Sequence, residues 1–135
     1  MSVLSKEQRT KGGVTLNVSF QEFMQMVKVA FDTPHDQTAC PVTRTLNVIQ
    51  GKWKEHILFY LSSKESSRFG EIHSANPQIS KTMLSSVLKQ LEADGLVIRK
   101  QYNEIPPRTE YSLTEPGKDL MPIFYEIYKW GSKHL

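Results

Sequence analysis

At Gly95 the spacing of apolar residues changes from about 3.6 to about 2, and no other feature constrains the fold as much. Before it, Leu84, Val87, Leu88 and Leu91 fall at i, i+3, i+4 and i+7, the stripe an amphipathic helix turns to its core. Ser80 stands where an N-cap oxygen accepts from the first free amides. Asp94-Gly95 closes the run, with Gly95 able to take the left-handed cap conformation. After it, "LVIRKQY" is rich in strand formers and ends at "NEIPPR", a loop stiffened by Pro106-Pro107. "TEYSLT" then reads as the return strand, with Tyr111 and Leu113 on one face.

The far side of the 80–93 helix is unusual. Thr82, Ser85, Ser86 and Lys89 recur about 200° from the apolar stripe, at 100° per residue. A surface helix ordinarily spreads Glu and Lys there, since those residues favour helix and pair at i, i+4. Here the face is short, hydroxylic and basic, with Lys81 beside it and no acid before Glu92.

Upstream, residues 1–18 have no clear period, and Gly12-Gly13 breaks local order, so a flexible arm is expected. "SFQEFMQMVKVAFDTP" opens with a capping box, Ser19 and Glu22, carries Phe20, Phe23, Val27 and Phe31 at helical spacing, and stops at Asp32-Thr33-Pro34. "VTRTLNVIQGKWKEHILFYLSS" gives two short helical runs parted by Gly51; Trp53, Ile57, Leu58 and Leu61 form the buried stripe of the second. "RFGEIHSAN" is a further short helical run, bounded by Pro77. At the other end Thr114 caps a last helix whose first turn suits Pro116. Its Leu120, Ile123, Phe124 and Ile127 make one stripe, and Pro122 is expected to kink it or delay its start.

This order predicts a mainly α chain with a small β-hairpin, a winged helix-turn-helix with extra N- and C-terminal helices. The expected parts are an arm and helix over 1–39, the winged domain over 40–114 and a C-terminal helix over 115–135. In such a motif the second helix of the pair enters the DNA major groove. Its outer face must approach closely; Ser and Thr donate to phosphate, while Lys neutralises phosphate or reaches guanine acceptors. Ser80, Lys81, Thr82, Ser85, Ser86 and Lys89 are therefore the expected contacts of the helix with double-stranded DNA. Arg99, Lys100 and Arg108, on or beside the hairpin loop, are those of the wing. The terminal segments bear more aromatic and methionine surface than a small core covers, which points to a homodimer through Phe20, Phe23, Val27, Phe31, Ile123, Phe124, Ile127 and Trp130. The competing reading is that both segments cap their own core.

Other function classes fare worse. The net charge of +3 permits nucleic-acid binding without demanding it. His35, His56, His73 and His134 are scattered without ligand spacing, and one cysteine excludes a Cys-rich metal site, so neither metal nor cofactor is expected. "HDQTAC" brings His35, Asp36 and Cys40 close in sequence, but catalytic partners usually converge from separate elements, and enzyme activity is not expected. Gly12-Gly13 lacks the Lys-Ser/Thr of a phosphate loop. With no bilayer-length apolar run and no signal pattern, a cytoplasmic protein is expected. A winged helix used only as a protein-interaction module stays open, as does a small-molecule pocket lined by Phe20, Phe23, Tyr125 and Trp130.

From Cys40 to His134 the chain resembles the HxlR-type winged helix-turn-helix regulators of bacteria. The resemblance is carried by "CPVTRTLNVIQGKWKEHIL", "RFGEI", "ISKTMLSSVLKQLEADGLV", "PPRTEYSLTEPGKDL" and "YKWG". It implies a homodimeric transcription factor paired largely through terminal helices; a repressor is expected rather than an activator. Each protomer would place one recognition helix, Ser80–Ala93, on a pseudo-palindromic operator, with the wing at Leu96–Thr114. The chain departs from the family in carrying 39 residues ahead of Cys40.

Cys40 precedes Pro41 at the expected start of a helix, where outward amides lower a thiol pKa; Arg44 lies one turn on. Some regulators that the chain resembles sense quinones, aldehydes or hypochlorite through the equivalent cysteine. The resemblance thus implies a redox- or electrophile-responsive Cys40, with a small electrophile or oxidant as effector. Against this, free cysteines are among the most buried and inert residues. With one cysteine, oxidation can give only an intersubunit disulfide or a mixed thiol cap.

Overall fold

The computed structural model describes residues 10–11, 14–15, 17–32, 36 and 40–135. The chain packs as two units, residues 1–43 and 44–135.

In the first unit β1 (Thr10–Lys11) pairs antiparallel with β2 (Val14–Thr15), Thr10 opposite Thr15. The arm expected to be flexible therefore holds a short strand pair. Helix α1 (Phe20–Asp32) starts where Ser19 Oγ accepts the Glu22 N–H at 3.0 Å, the cap foreseen. None of its residues is buried. The stop at Thr33-Pro34 and the connector's His35 lie outside the described residues, as does Gly12-Gly13. Helix α2 (Pro41–Ile49) opens in this unit and runs on into the second.

The second unit continues with α3 (Lys54–Ser62), β3 (Ser67–Arg68), α4 (Phe69–Ala75), α5 (Lys81–Ala93), β4 (Val97–Tyr102), β5 (Arg108–Leu113) and α6 (Glu115–His134). The turn from α2 to α3 uses two left-handed residues, Gly51 (φ 122°) and Trp53 (φ 79°). The buried Lys54 donates from Nζ to the Val48 carbonyl at 3.1 Å, closing an end carbonyl of α2. Trp53 is thus the residue before α3 rather than the first member of its buried stripe, although its half-buried ring packs on the core.

Helices α4 and α5 are joined by a turn held from both sides. Asn76 Nδ2 donates to the Ile72 carbonyl at 2.9 Å, and the Ile79 N–H donates to the Asn76 carbonyl at 3.1 Å. His73 donates from Nε2 to the Ile79 carbonyl at 3.0 Å; an oxygen acceptor there requires the proton on Nε2. This histidine is satisfied and structural.

The sheet has three strands in the order β3-β5-β4, all antiparallel, where the sequence predicts only a hairpin. Strand β3 is two residues long and pairs Ser67 with Tyr111 and Arg68 with Glu110. Two residues show no period, and their partner lies far along the chain. The core joins Ile57, Leu58 and Leu61 of α3 and Ile72 of α4 to Leu84, Val87, Leu88 and Leu91 of α5, with Val97, Tyr111 and Leu113 from the sheet and Leu120 from α6.

Helix α6 runs unbroken from Glu115 through Pro122, so the proline does not delay its start. Thr114 joins it to the exit of α5. Its Oγ1 accepts the Gly117 N–H at 3.1 Å and donates to the Gly95 carbonyl at 2.6 Å, while its N–H reaches the Leu96 carbonyl at 3.0 Å. Gly117 lies so close to the Leu96 carbonyl that a Cβ would collide with it. The single stripe expected on α6 divides in two. Leu120, Met121 and Phe124 face the core, whereas Ile123, Ile127 and Trp130 lie exposed along a neighbouring line.

Candidate nucleic-acid interface

Helix α5 is positioned by its own ends. Ser80 Oγ accepts the Met83 N–H at 3.1 Å. At the other end the Leu96 N–H reaches the Leu91 carbonyl at 2.9 Å and the Gly95 N–H the Glu92 carbonyl at 3.0 Å, with Gly95 at φ 76°. These two bonds are the Schellman stop, and buried Leu96 and Leu91 supply its apolar contact. Leu84, Val87, Leu88 and Leu91 are buried, which fixes the rotation of the helix about its axis.

That rotation turns Lys81, Thr82, Ser85, Ser86 and Lys89 together onto one open surface strip, continued by Gln90 and Ala93. The strip carries two ammonium groups and three hydroxyls with no carboxylate. There is no acid in the first turn of α5, although the helix dipole favours one there. Lys81 at that end therefore adds a positive charge to the positive end of the helix dipole. Gln90, not foreseen from the sequence, adds an amide able to pair with adenine. Its position four residues after Ser86, on the same face, was the available signal.

The wing cations separate. Strands β4 and β5 pair Lys100 with Glu110 and Tyr102 with Arg108 on one face, and Arg99 with Tyr111 on the other. Arg99 therefore sits against α5, in a crevice shared with Ser85, Lys89 and Glu92. Lys100 lies on the far face, its Nζ 4.9 Å from the centre of the Tyr102 ring. Arg108 is engaged within the wing. Its guanidinium stacks on Tyr102 at 4.0 Å, Nη2 lies 3.3 Å from Glu104 Oε2, and Nε lies 3.4 Å from Glu110 Oε2. The Nε contact is an ion pair by distance but not aligned as a hydrogen bond, and that nitrogen is buried. Glu110 also accepts from Ser66 Oγ at 3.0 Å. Glu104 and Glu110, four residues before Arg108 and two after, were the sequence signal for this cluster.

On the terminal helices, Phe20 and Phe31 are largely exposed, Phe23 is at the edge of exposure and Val27 is half-buried. On α6 Ile123, Ile127 and Trp130 are exposed, but Phe124 is half-buried and its ring meets Phe59 edge-on, centroids 5.1 Å apart.

Cys40 is free and half-buried. The backbone amides of Thr43, first, and Val42 hold its thiol below the ordinary thiol range; the Thr43 side chain adds to this and burial opposes it. Among the described residues no group of His, Cys, Asp and Glu could hold a metal ion. Among them also, no helix is long and apolar enough to cross a membrane.

A two-faced helix, a helix before it across a tight turn and a three-stranded wing after it define a winged helix-turn-helix of the DNA-binding class. The chain belongs to the HxlR-like helix-turn-helix family, whose profile matches residues 48–135. It is 46% identical over 99 residues to the uncharacterized HTH-type transcriptional regulator YybR of Bacillus subtilis, covering 73% of this chain and 78% of that one. It is similar to a MarR-family transcriptional regulator from Porphyromonas gingivalis, with a TM-score of 0.66 and 42% identity over 76% of this chain and 99% of that one. The redox regulator HypR in its oxidized form matches with a TM-score of 0.63 and 43% identity, covering 71% of this chain and 98% of that one. The protein is a helix-turn-helix transcriptional regulator, and the relatives it matches are regulators rather than enzymes.

Proposed function

We propose that the protein is a homodimeric repressor that places α5 of each protomer in the major groove of one half of a pseudo-palindromic operator. The observation that carries this reading is the acid-free strip of Lys81, Thr82, Ser85, Ser86 and Lys89 on the outward face of a helix whose inward face is locked in the core. Ser80 serves as cap at the end that meets phosphate. Arg99 and Lys100 act as wing cations, and Arg108 shapes the wing by holding Tyr102 and the two glutamates. The exposed Ile123, Ile127 and Trp130 support pairing through α6, and exposed Phe20 and Phe31 support a contribution from α1.

Selection of duplexes from random DNA by the purified protein, at low and high salt, tests this. An inverted repeat that survives the higher salt is the expected outcome. Binding that vanishes with salt and enriches nothing would leave only the sequence-independent charge term and favour a protein-interaction module.

A second reading concerns Cys40. Its amide contacts with Thr43 and Val42 favour the thiolate, the form that reacts. The similarity to the redox regulator HypR supports carrying an oxidant or electrophile response to this thiol. Because the folded-state pKa lies below that of an unfolded thiol, alkylation near neutral pH should be faster in the native protein than in a peptide spanning Cys40. Its rate should level off at a lower pH. Cys40→Ser should bind the operator normally yet ignore hypochlorite or benzoquinone; a wild-type protein equally indifferent to both removes the sensing role.

A further inference from the structure

A helix in a major groove and a hairpin beside it straddle one sugar-phosphate strand, so that strand must cross the gap between them. In this molecule the gap is a crevice of about 310 Å³ lined by Ser85, Leu88, Lys89, Glu92, Arg99 and Tyr111. We propose that this crevice seats a backbone phosphate, held by the Ser85 hydroxyl, the Lys89 ammonium and the Arg99 guanidinium, and that Glu92 acts there as a brake on affinity. The proposal rests on α5 entering a major groove as argued above.

Three observations converge on it. Strand alternation sets Arg99 opposite Tyr111 on the face toward α5, and Lys100 on the other. Arg99 is thereby the wing cation that shares a site with the helix. Among the described residues its guanidinium makes one side-chain hydrogen bond, to Gln101 Oε1 at the long distance of 3.5 Å, which leaves further donors for an incoming oxygen. Beneath the charged groups the crevice is backed by the buried Leu88 and by the ring of the buried Tyr111. Low-dielectric walls beneath like charges strengthen the field felt by an anion.

Glu92 is the first acid on α5 and it lines this crevice. Among the described residues it forms no ion pair with Lys89 or Arg99, so it is not a fixed counter-ion. A carboxylate beside a phosphate path repels every duplex alike. It sets a ceiling on sequence-independent binding, the term by which competing genomic sites would otherwise sequester a basic regulator.

The test measures affinity for two duplexes, the one recovered by selection and a scramble of it, from about 50 to 200 mM salt. Arg99→Ala should weaken both by the same factor, about tenfold, and lower the salt slope by about 0.9, as loss of one phosphate contact requires. Glu92→Gln should tighten both by about threefold, the range of an exposed charge interaction. That gain should shrink when Arg99 is also alanine, because the two groups act on one phosphate. Circular dichroism of each variant checks the fold. An unchanged slope in a folded Arg99→Ala protein overturns the crevice while leaving DNA binding intact, and so does a loss confined to the selected duplex. An unchanged affinity in Glu92→Gln overturns the brake. Wild-type protein that binds neither duplex at low salt overturns both this proposal and the reading beneath it.

Discussion

Helices α5 and α6 both keep one face in the core and offer another to solvent, and the chemistry of the second face separates them. On α5 the outer strip is hydroxyl, amide and ammonium, and four apolar residues lie beneath it. On α6 only Gly117 and Leu120 are buried, and beyond them Ile123, Ile127 and Trp130 are bare. A polar face needs no further cover in water. An apolar one costs free energy until something covers it, at about 25 cal/mol per Å² of apolar surface. The comparison separates a surface suited to an ionic, hydrated partner from one suited to burial.

The largest expected break comes from beneath. Leu88→Ala should destabilise the fold by about 2–5 kcal/mol, because the side chain is fully buried and a cavity would remain. Thermal or urea unfolding reads this directly. Ile127→Asp on α6 should leave that unfolding within about 0.5 kcal/mol when measured at a concentration where the protein is already monomeric. Sedimentation should nonetheless show self-association weakened by at least about tenfold, as expected for a charge buried unpaired in an interface. A self-association constant equal to wild type would exclude this stripe from any dimer. On the outer face of α5, Lys89→Ala should change stability little and lower the DNA salt slope by about 0.9. Arg108→Ala is the smallest in that assay. Its slope should stay near wild type, since the guanidinium is committed to Glu104, Glu110 and Tyr102. A slope falling as far as for Lys89→Ala would return Arg108 to the phosphate contacts.

What was legible in the sequence follows from the range of the interactions. Helix α5 showed in full, caps included, because Ser80, Gly95 and the Leu84–Leu91 stripe act on near neighbours along the chain. Strands β4 and β5 showed for the same reason. Strand β3 did not, since its two residues take their conformation from pairing with Tyr111 and Glu110. Trp53 looked like a stripe member because its spacing fits, yet a left-handed backbone at that residue moves it into the turn. The candidate site divided likewise. The α5 strip follows from helical spacing alone, whereas assigning Arg99 and Arg108 to opposite faces needs the register of the hairpin.

The Thr114–Gly117 joint has a mechanical consequence. At 1.5 Å per residue, α6 is a rod of about 30 Å, pinned at one end to the exit of α5 by two hydrogen bonds from Thr114 and a contact with no room for a methyl group. A rod clamped this way pivots together with the element it is clamped to. A tilt of about 5° moves its far tip by roughly 2.6 Å. If two copies pair along these rods, a small change in their crossing angle must swing the two reading helices. Those helices have to stay in step with a DNA pitch of about 34 Å. In such a pair the joint would make operator fit a matter of alignment, adjustable from a distance without altering any residue of the α5 strip.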